Sequence, residues 1–310
     1  MIKKIKIKHD NNVIIGLGLS LLLIWGGFYF SYPNFFELQK IAEQKAEQKI
    51  AAQKEINKNL AFGQLNLEAK AFAVYDIETG ELIASQQENQ ILPLASITKI
   101  MTVLVSSENF SAQTPITINQ TNGEKGLRRG EQWSLASLAT LTLVGSSNDG
   151  ATALSEASAV GPTNFIDQMN TKAQELGLTD LHFTNPTGLD DRAIPGGQGS
   201  TLSVARLFSY AIKNQPELFS ATREPIINEK SLDNFNHTVL NTNEIIKDIP
   251  GLIASKTGLT DLAGGNLAIV ANFGLNRPIA IVVLGSSESG RFTDTKKLVE
   301  ATLNYYSNLN

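Results

Sequence analysis

The 310-residue sequence contains no cysteine, which excludes disulfide bonds, thiolate nucleophiles and cysteine-ligated metal sites together. Histidine is nearly as scarce, with only His9, His182 and His237. No His-Glu-x-x-His segment occurs, so the ligand pair of a helix-borne zinc site is missing. Gly-x-Ser-x-Gly is absent as well, which disfavours the strand–turn–helix nucleophile that works with a histidine base. Positive charge is concentrated at one end. Residues 1–12 carry a net +3 and residues 37–60 a net +1, so a total of -4 leaves about -8 on the remainder. A domain that acidic offers no electrostatic footprint for nucleic acid.

The amino terminus has the opposite character. Lys3, Lys4, Lys6 and Lys8 precede an apolar run from Val13 to Phe30 that only Ser20 interrupts, and no charge occurs from Val13 through Phe36. At about 1.5 Å per residue such a run makes a helix of roughly 27 Å, close to the ~30 Å of a bilayer core. Trp25, Phe28, Tyr29, Phe30 and Tyr32 crowd its far end as an interfacial belt would. A cleaved signal would end in small residues, whereas Ser31-Tyr32-Pro33 follows bulky aromatics. The expectation is an uncleaved single-pass anchor over 13–32, with residues 1–12 in the cytoplasm and the rest exported. Glu37–Lys58 lacks glycine and proline and is rich in Gln, Ala, Lys and Glu. Residues 33–62 therefore read as a helical stalk or linker, ahead of a catalytic domain over 63–310.

Within that domain Ala71–Ser85 alternates around Glu78-Thr79-Gly80, a hairpin signal. A helix is expected from Ser96 to about Ser107, and further helices over 134–145, 149–159, 162–177, 201–213 and 292–307. Ser134 and Thr201 are the expected amino-terminal caps, and Pro195–Gly199 is expected to be loop. Gly265–Phe273 and Pro278–Gly285 are β-branched runs joined by a four-residue turn. Strands at both ends with helices between imply one α+β domain, an antiparallel sheet with helices packed on it.

Three short motifs stand at junctions between these elements. Ser96-Ile97-Thr98-Lys99 opens an apolar helix, where i and i+3 share a face. The lysine amine can then reach the serine oxygen and take its proton, provided burial and a second cation keep the amine partly neutral. Ser146-Ser147-Asn148-Asp149 joins two helices and supplies a hydroxyl and an amide; a polar helix cap is the plainer reading of that segment alone. Lys256-Thr257-Gly258 lies on a strand that could pair with an extended peptide, and it brings the second cation.

This triplet matches the Ser-x-x-Lys, Ser-x-Asn and Lys-Thr-Gly set of penicillin-recognising enzymes. Tyr75 through Leu104, Leu127–Glu131, His182–Asp190 and Asp261–Leu267 also resemble the D-alanyl-D-alanine carboxypeptidase family, the low-molecular-mass penicillin-binding proteins. The resemblance covers about residues 65–307. It implies a β-lactamase/transpeptidase-like fold and removal of the terminal D-alanine from peptidoglycan stem peptides, with β-lactams as covalent inhibitors and no cofactor. It implies Ser96 as nucleophile, Lys99 as its base, Ser146 and Asn148 as the second pair, and Lys256 as the tuning cation. Thr257, Gly258 and Leu259 would border the substrate, the backbone N–H groups of Ser96 and Leu259 forming the oxyanion hole. Arg291 would bind the terminal carboxylate.

Other activities fit less well. A class A β-lactamase needs a deacylating glutamate, and Leu181–Asn185 has none. A D,D-endopeptidase would use the same residues with less need for Arg291. A tethered wall-binding protein without activity would be expected to have lost motif residues, and all three sets are intact.

Overall fold

The computed structural model describes residues 35–158, 161–274 and 277–308. The expected membrane anchor at 13–32 lies outside the described residues, and among the described residues no helix is long and apolar enough to cross a bilayer. The chain divides into two units, Met1–Ile56 and Asn57–Asn310. The described part of the first is helical, belonging to α1 (Phe35–Phe62), whose side chains from Glu37 to Gln53 are all exposed.

In the second unit the order is β1 (Ala71–Asp76), β2 (Leu82–Gln86), β3 (Leu92–Pro93), α2 (Lys99–Asn109), β4 (Pro115–Thr117), β5 (Gln132–Ser134), α3 (Leu135–Val144), α4 (Asn148–Glu156) and α5 (Gly161–Glu175). There follow β6 (His182–Phe183), β7 (Gly197–Gly199), α6 (Thr201–Asn214), α7 (Pro216–Ser220), β8 (Ile226–Lys230), β9 (Asn236–Leu240), β10 (Leu252–Thr260), β11 (Gly264–Asn272), β12 (Pro278–Ser286) and α8 (Gly290–Ser307). Both chain ends of the unit meet in one antiparallel sheet, ordered β10-β11-β12-β1-β2.

The central strands are near-continuous apolar runs because both faces of the sheet are covered. On one face Val74, Leu267, Ile269, Ile281 and Val283 pack with Phe292, Leu298, Val299 and Tyr305 of α8. On the other, Ala268, Val270, Ala280, Val282 and Leu284 join the helical core that includes Val204, Leu207 and Phe208 of α6. The two-residue alternation of each strand assigns its side chains to one core or the other. Asp294 of α8 is fully buried, and it accepts from the N–H groups of Glu68 and Ala69 and from Ser286 Oγ, tying the helix to the start of β1.

The α+β expectation and the two sheet hairpins agree with this architecture. In the first, Asp76 Oδ1 accepts from the N–H groups of Glu78 (2.9 Å) and Thr79 (3.0 Å), shaping the turn that Gly80 closes at φ 74°. Three local expectations need correction. The Ser-x-x-Lys segment is not uniformly α-helical: Ala95–Thr98 forms a 3-10 turn, and the α-helix begins at Lys99. Ala95 stands at φ 50°, a conformation that a non-glycine residue adopts only when its surroundings impose it. The cap of α6 is Ser200, whose Oγ accepts from Ser203 N–H, one residue before the expected Thr201. Gly197–Gly199, expected as loop, pairs with both β3 and β6. Glycine serves contact there rather than flexibility, since a Cβ on Gly197 would lie 2.3 Å from Thr98 Oγ1.

These details hold the front of α2 in place. Residues 99–106 of that helix are buried on every side, which marks it as a central helix rather than an amphipathic one. Ile97, Ile100, Met101 and Leu104 are fully enclosed, each contributing roughly 1.5–3 kcal/mol of burial. Asn266 on β11, with no exposure, donates to the carbonyls of Pro93 (3.0 Å) and Leu94 (3.1 Å) and accepts from Gly285 N–H (2.8 Å). It thereby pins the segment just before Ser96 to the sheet.

Candidate active site

Three junctions converge at the open edge of the sheet: the 3-10 turn before α2, the link between α3 and α4, and strand β10. Lys99 is the centre. Its side chain has no solvent exposure, and Nζ donates to Ser96 Oγ (2.8 Å), Asn148 Oδ1 (2.8 Å) and the Thr187 carbonyl (2.7 Å). Burial pushes the amine down from 10.5 to about 7, with the negative charge of Glu124 acting in the opposite direction. A lysine so placed is about half neutral at pH 7 and lies against a half-buried hydroxyl. That is the arrangement a serine nucleophile requires.

Lys256, also buried, donates to Ser146 Oγ (2.8 Å) and to the Thr257 carbonyl (2.9 Å). Its pKa is lowered well below the usual value, first by burial and then by the charges of Lys99, Arg291 and Lys125. The two neighbouring serines of the second motif take separate tasks. Ser146, at φ 57°, turns toward Lys256, while Ser147 caps α4 by accepting from Gly150 N–H at 3.0 Å. Asn148 bridges the site: its amide oxygen meets Lys99 and its Nδ2 donates to Glu124 Oε1 at 2.9 Å.

β10 lines the remaining side. It is an edge strand, and Thr257 Oγ1 shares a hydrogen bond of 2.6 Å with Thr242 Oγ1. Gly258 lies so near the Ser96 turn that a Cβ would be 2.8 Å from the Leu94 carbonyl. Leu259 is 42% exposed. Arg291 is only 7% exposed and donates from Nη1 to the Gly258 carbonyl at 2.8 Å, its guanidinium 4.6 Å from the centre of the Phe292 ring. Its Nε is buried without a partner. All nine residues singled out in the sequence thus lie in or against one region.

Other contributors lie outside the three motifs. Thr187 acts through its carbonyl, which Asn185 aims at Lys99 by accepting from Thr187 N–H, Thr187 Oγ1 and Gly188 N–H. Asn185–Gly188 lies within the His182–Asp190 stretch that carried the family resemblance, but its contact with Lys99 was not legible there. Glu124 lies between β4 and β5, at the start of a short 3-10 turn and outside every segment singled out in the sequence. His237 and Glu131 form a buried pair at 2.6 Å, and His237 Nδ1 lies 3.2 Å from the Lys125 carbonyl, bracing that loop.

The family profile described as D-alanyl-D-alanine carboxypeptidase matches residues 57–288. The chain belongs to that family. It is 29% identical over 254 residues to the D-alanyl-D-alanine carboxypeptidase DacF of Bacillus subtilis, covering 78% of this chain and 64% of that protein. It is 31% identical to DacD of Salmonella typhimurium, covering 76% of this chain and 62% of the relative. The chain therefore spans a little over three fifths of the length of these curated family members. Among solved structures, penicillin-binding protein D2 of Listeria monocytogenes in its ampicillin-bound form superposes with a TM-score of 0.68 at 28% identity, over 77% of this chain and 98% of that one. The mixed helix and antiparallel-sheet fold is thus the fold of penicillin-binding proteins.

Proposed function

We propose that this protein is a serine-type D-alanyl-D-alanine carboxypeptidase that trims peptidoglycan stem peptides through an acyl-enzyme on Ser96. The observation that carries the reading is the buried Lys99 amine 2.8 Å from Ser96 Oγ, its basicity lowered by burial to a pKa of about 7. Family membership and relatives named as carboxypeptidases support the substrate. The cell membrane, with the catalytic domain on its outer side, is the location that the lysine-flanked apolar run at 13–30 supports.

In this mechanism Ser96 Oγ attacks the carbonyl carbon between two D-alanines while Lys99 takes its proton. The carbon–nitrogen bond breaks, the departing amine receives a proton through the Lys99–Ser146–Lys256 cluster, and D-alanine leaves. Water then attacks the ester, returning the proton to Ser96 and releasing the shortened peptide. Ser255 N–H is directed at Thr222 Oγ1 on the outer edge of β10 (3.0 Å), and strand alternation directs the Leu259 N–H to that same edge. There it serves with Ser96 N–H as the oxyanion donor, a contribution of about 10²–10³ in rate per donor in such sites. Lys256, Thr257 and Gly258 border the bound peptide. Arg291, already against the Gly258 carbonyl, offers its charge to the terminal carboxylate. β-Lactams would acylate the same serine.

Cross-link cleavage is the second reading. Relatives named D-alanyl-D-alanine endopeptidase, from Pseudomonas aeruginosa and Escherichia coli, are each 29% identical and are covered over 77% and 74% of their length. The test is mass spectrometry of the full-length protein after incubation with benzylpenicillin, beside Ser96→Ala. A penicilloyl adduct on the Ser96 peptide, absent from the variant, is the expected result. A folded wild-type protein that stays unmodified refutes the acyl-enzyme and favours a non-catalytic wall-binding role.

A further inference from the structure

Glu124 is outside the three motifs, yet it is the most heavily hydrogen-bonded carboxylate near them. One oxygen accepts from Asn148 Nδ2 at 2.9 Å, and the other accepts from Asn148 N–H at 2.6 Å. Ser147 Oγ and Asp149 N–H approach that second oxygen at 3.4 Å each. The carboxylate therefore stands at the amino terminus of α4, a position that favours negative charge. Burial alone would raise its pKa, but the Asn148 amide, the N–H groups of Asn148 and Asp149 and the charge of Lys99 hold it below the usual carboxylate value. It stays ionised at neutral pH.

An amide side chain can present either its oxygen or its nitrogen to a neighbour, and the two orientations have opposite consequences for a lysine. With Nδ2 drawn to Glu124, the Asn148 oxygen must face Lys99 Nζ, as observed at 2.8 Å. Flipped, the amide would set two N–H groups against an amine that, to take the Ser96 proton, keeps its lone pair toward Ser96 Oγ and its own N–H groups toward Asn148 and Thr187. A carboxylate enforces the observed orientation because both of its oxygens only accept. A neutral amide at position 124 cannot accept on both sides.

We infer that Glu124 is a positioning residue that locks the Asn148 side chain oxygen toward Lys99 and sets the charge balance of the Ser96–Lys99 pair, a role that rests on the acyl-enzyme reading above. The charged groups around this pair come from several elements. Lys256 lies on β10, Lys125 follows Glu124 in the loop, and Arg291 lies on α8; the last two, with Lys99, lower the charge that Lys256 can carry. Asp149 on α4 is turned away, accepting from the Asn122 and Glu124 N–H groups at 3.0 and 3.2 Å. Glu124 is thus the anionic side chain that opposes the burial of Lys99. Its loop is held from behind by His237 and Glu131.

The sign follows directly. Removing the negative charge favours the neutral amine, so Lys99 gives up its proton at lower pH in Glu124→Gln. Two readouts are taken on the full-length protein. One is the titration midpoint of the Lys99 Cε resonance in protein labelled with ¹³C-lysine, assigned by its loss in Lys99→Met. The other is the pH profile of the penicilloylation rate constant. In Glu124→Gln the midpoint and the acid limb are expected to move together to lower pH, while the plateau rate falls by about tenfold from the lost ordering of Asn148. Glu124→Asp keeps the charge but not the reach, so the plateau falls and the limb stays near its wild-type position. This variant also decides the matter if Glu124→Gln does not fold. A Lys99 midpoint and penicilloylation profile unchanged in a folded Glu124→Gln, or a Glu124→Asp plateau within twofold of wild type, overturns the inference. A midpoint that shifts in a protein that penicillin never labels upholds the coupling and refutes the nucleophile instead.

Discussion

Replacing Lys99 by methionine should make the protein inactive and, relative to wild type, progressively more stable as pH falls from 10 to 7. Methionine approximates the length and flexibility of the buried stem but carries no charge. The folded state lowers the Lys99 pKa from 10.5 to about 7. Between those values the unfolded chain binds a proton that the folded chain does not, so unfolding of the wild type is favoured as pH drops. The slope is about 1.4 kcal/mol per pH unit, and three units give roughly 4 kcal/mol. Below pH 7 the contribution is constant. Loss of the donors to Thr187 O and Asn148 Oδ1 costs the variant an amount that does not depend on pH in this window, so it offsets the curve without changing its slope. Lys256 is repelled by Lys99 and would regain some of its basicity in the variant, which flattens the variant's profile further. Urea unfolding of both proteins at pH 7, 8, 9 and 10 gives the difference directly. Parallel stability curves across that range would refute the claim that Lys99 is buried in a neutral form.

The remaining predictions concern rate and fit. Because the base must be unprotonated and its pKa is about 7, penicilloylation of the wild type should fall about fivefold from pH 7 to pH 6 and tenfold from pH 6 to pH 5, read by stopped labelling and electrophoresis. An acid limb centred two units away would remove Lys99 as the base. Gly188→Ala should lower stability by about 2 kcal/mol or more and slow acylation, since Gly188 stands at φ 80° and an added Cβ would lie 1.9 Å from the Ala95 carbonyl; thermal melting and the same labelling assay check both. Arg291→Ala should raise KM at least tenfold for a peptide ending in free D-Ala-D-Ala while leaving its carboxamide analogue nearly unchanged; equal losses on both peptides would assign Arg291 to bracing the Gly258 carbonyl alone.

Residues with chemistry at fixed short spacing were legible in the sequence. Ser96 and Lys99 share one helical turn, and the two β-branched runs near the carboxyl terminus could hardly be other than a central hairpin. What the sequence obscured was long-range. Asn148 and Lys99 are 49 residues apart and Thr187 and Lys99 are 88 apart, and no local pattern announces either contact. Glu124 was hidden for the same reason. A glutamate between two glycines reads as a solvated turn until α4 is brought against it. The 3-10 start of α2 was missed because periodicity reports which residues are buried, whereas the turn packs so closely against Gly188 that a side chain there would meet the Ala95 carbonyl. Gly197–Gly199 misled through composition: glycine marks a loop in isolation, but here Gly197 and Gly199 mark places where Thr98 and Leu181 pack too closely for a Cβ.

The position of β10 at the rim of the sheet has a cost for solubility as well as a use in binding. An edge strand that can accept a peptide can also accept a strand from another molecule and seed aggregation. Here the exposed template is kept short. Both Ser255 N–H and Ser255 Oγ are taken by Thr222, and the Thr257 carbonyl is occupied by Lys256 Nζ. The buried side chains of Lys99 and Lys256 stand beside what is left. Only a segment short enough to use the few unoccupied groups gains from pairing there, so the contacts of Thr222 and Lys256 that shape the strand also limit its joining its own kind.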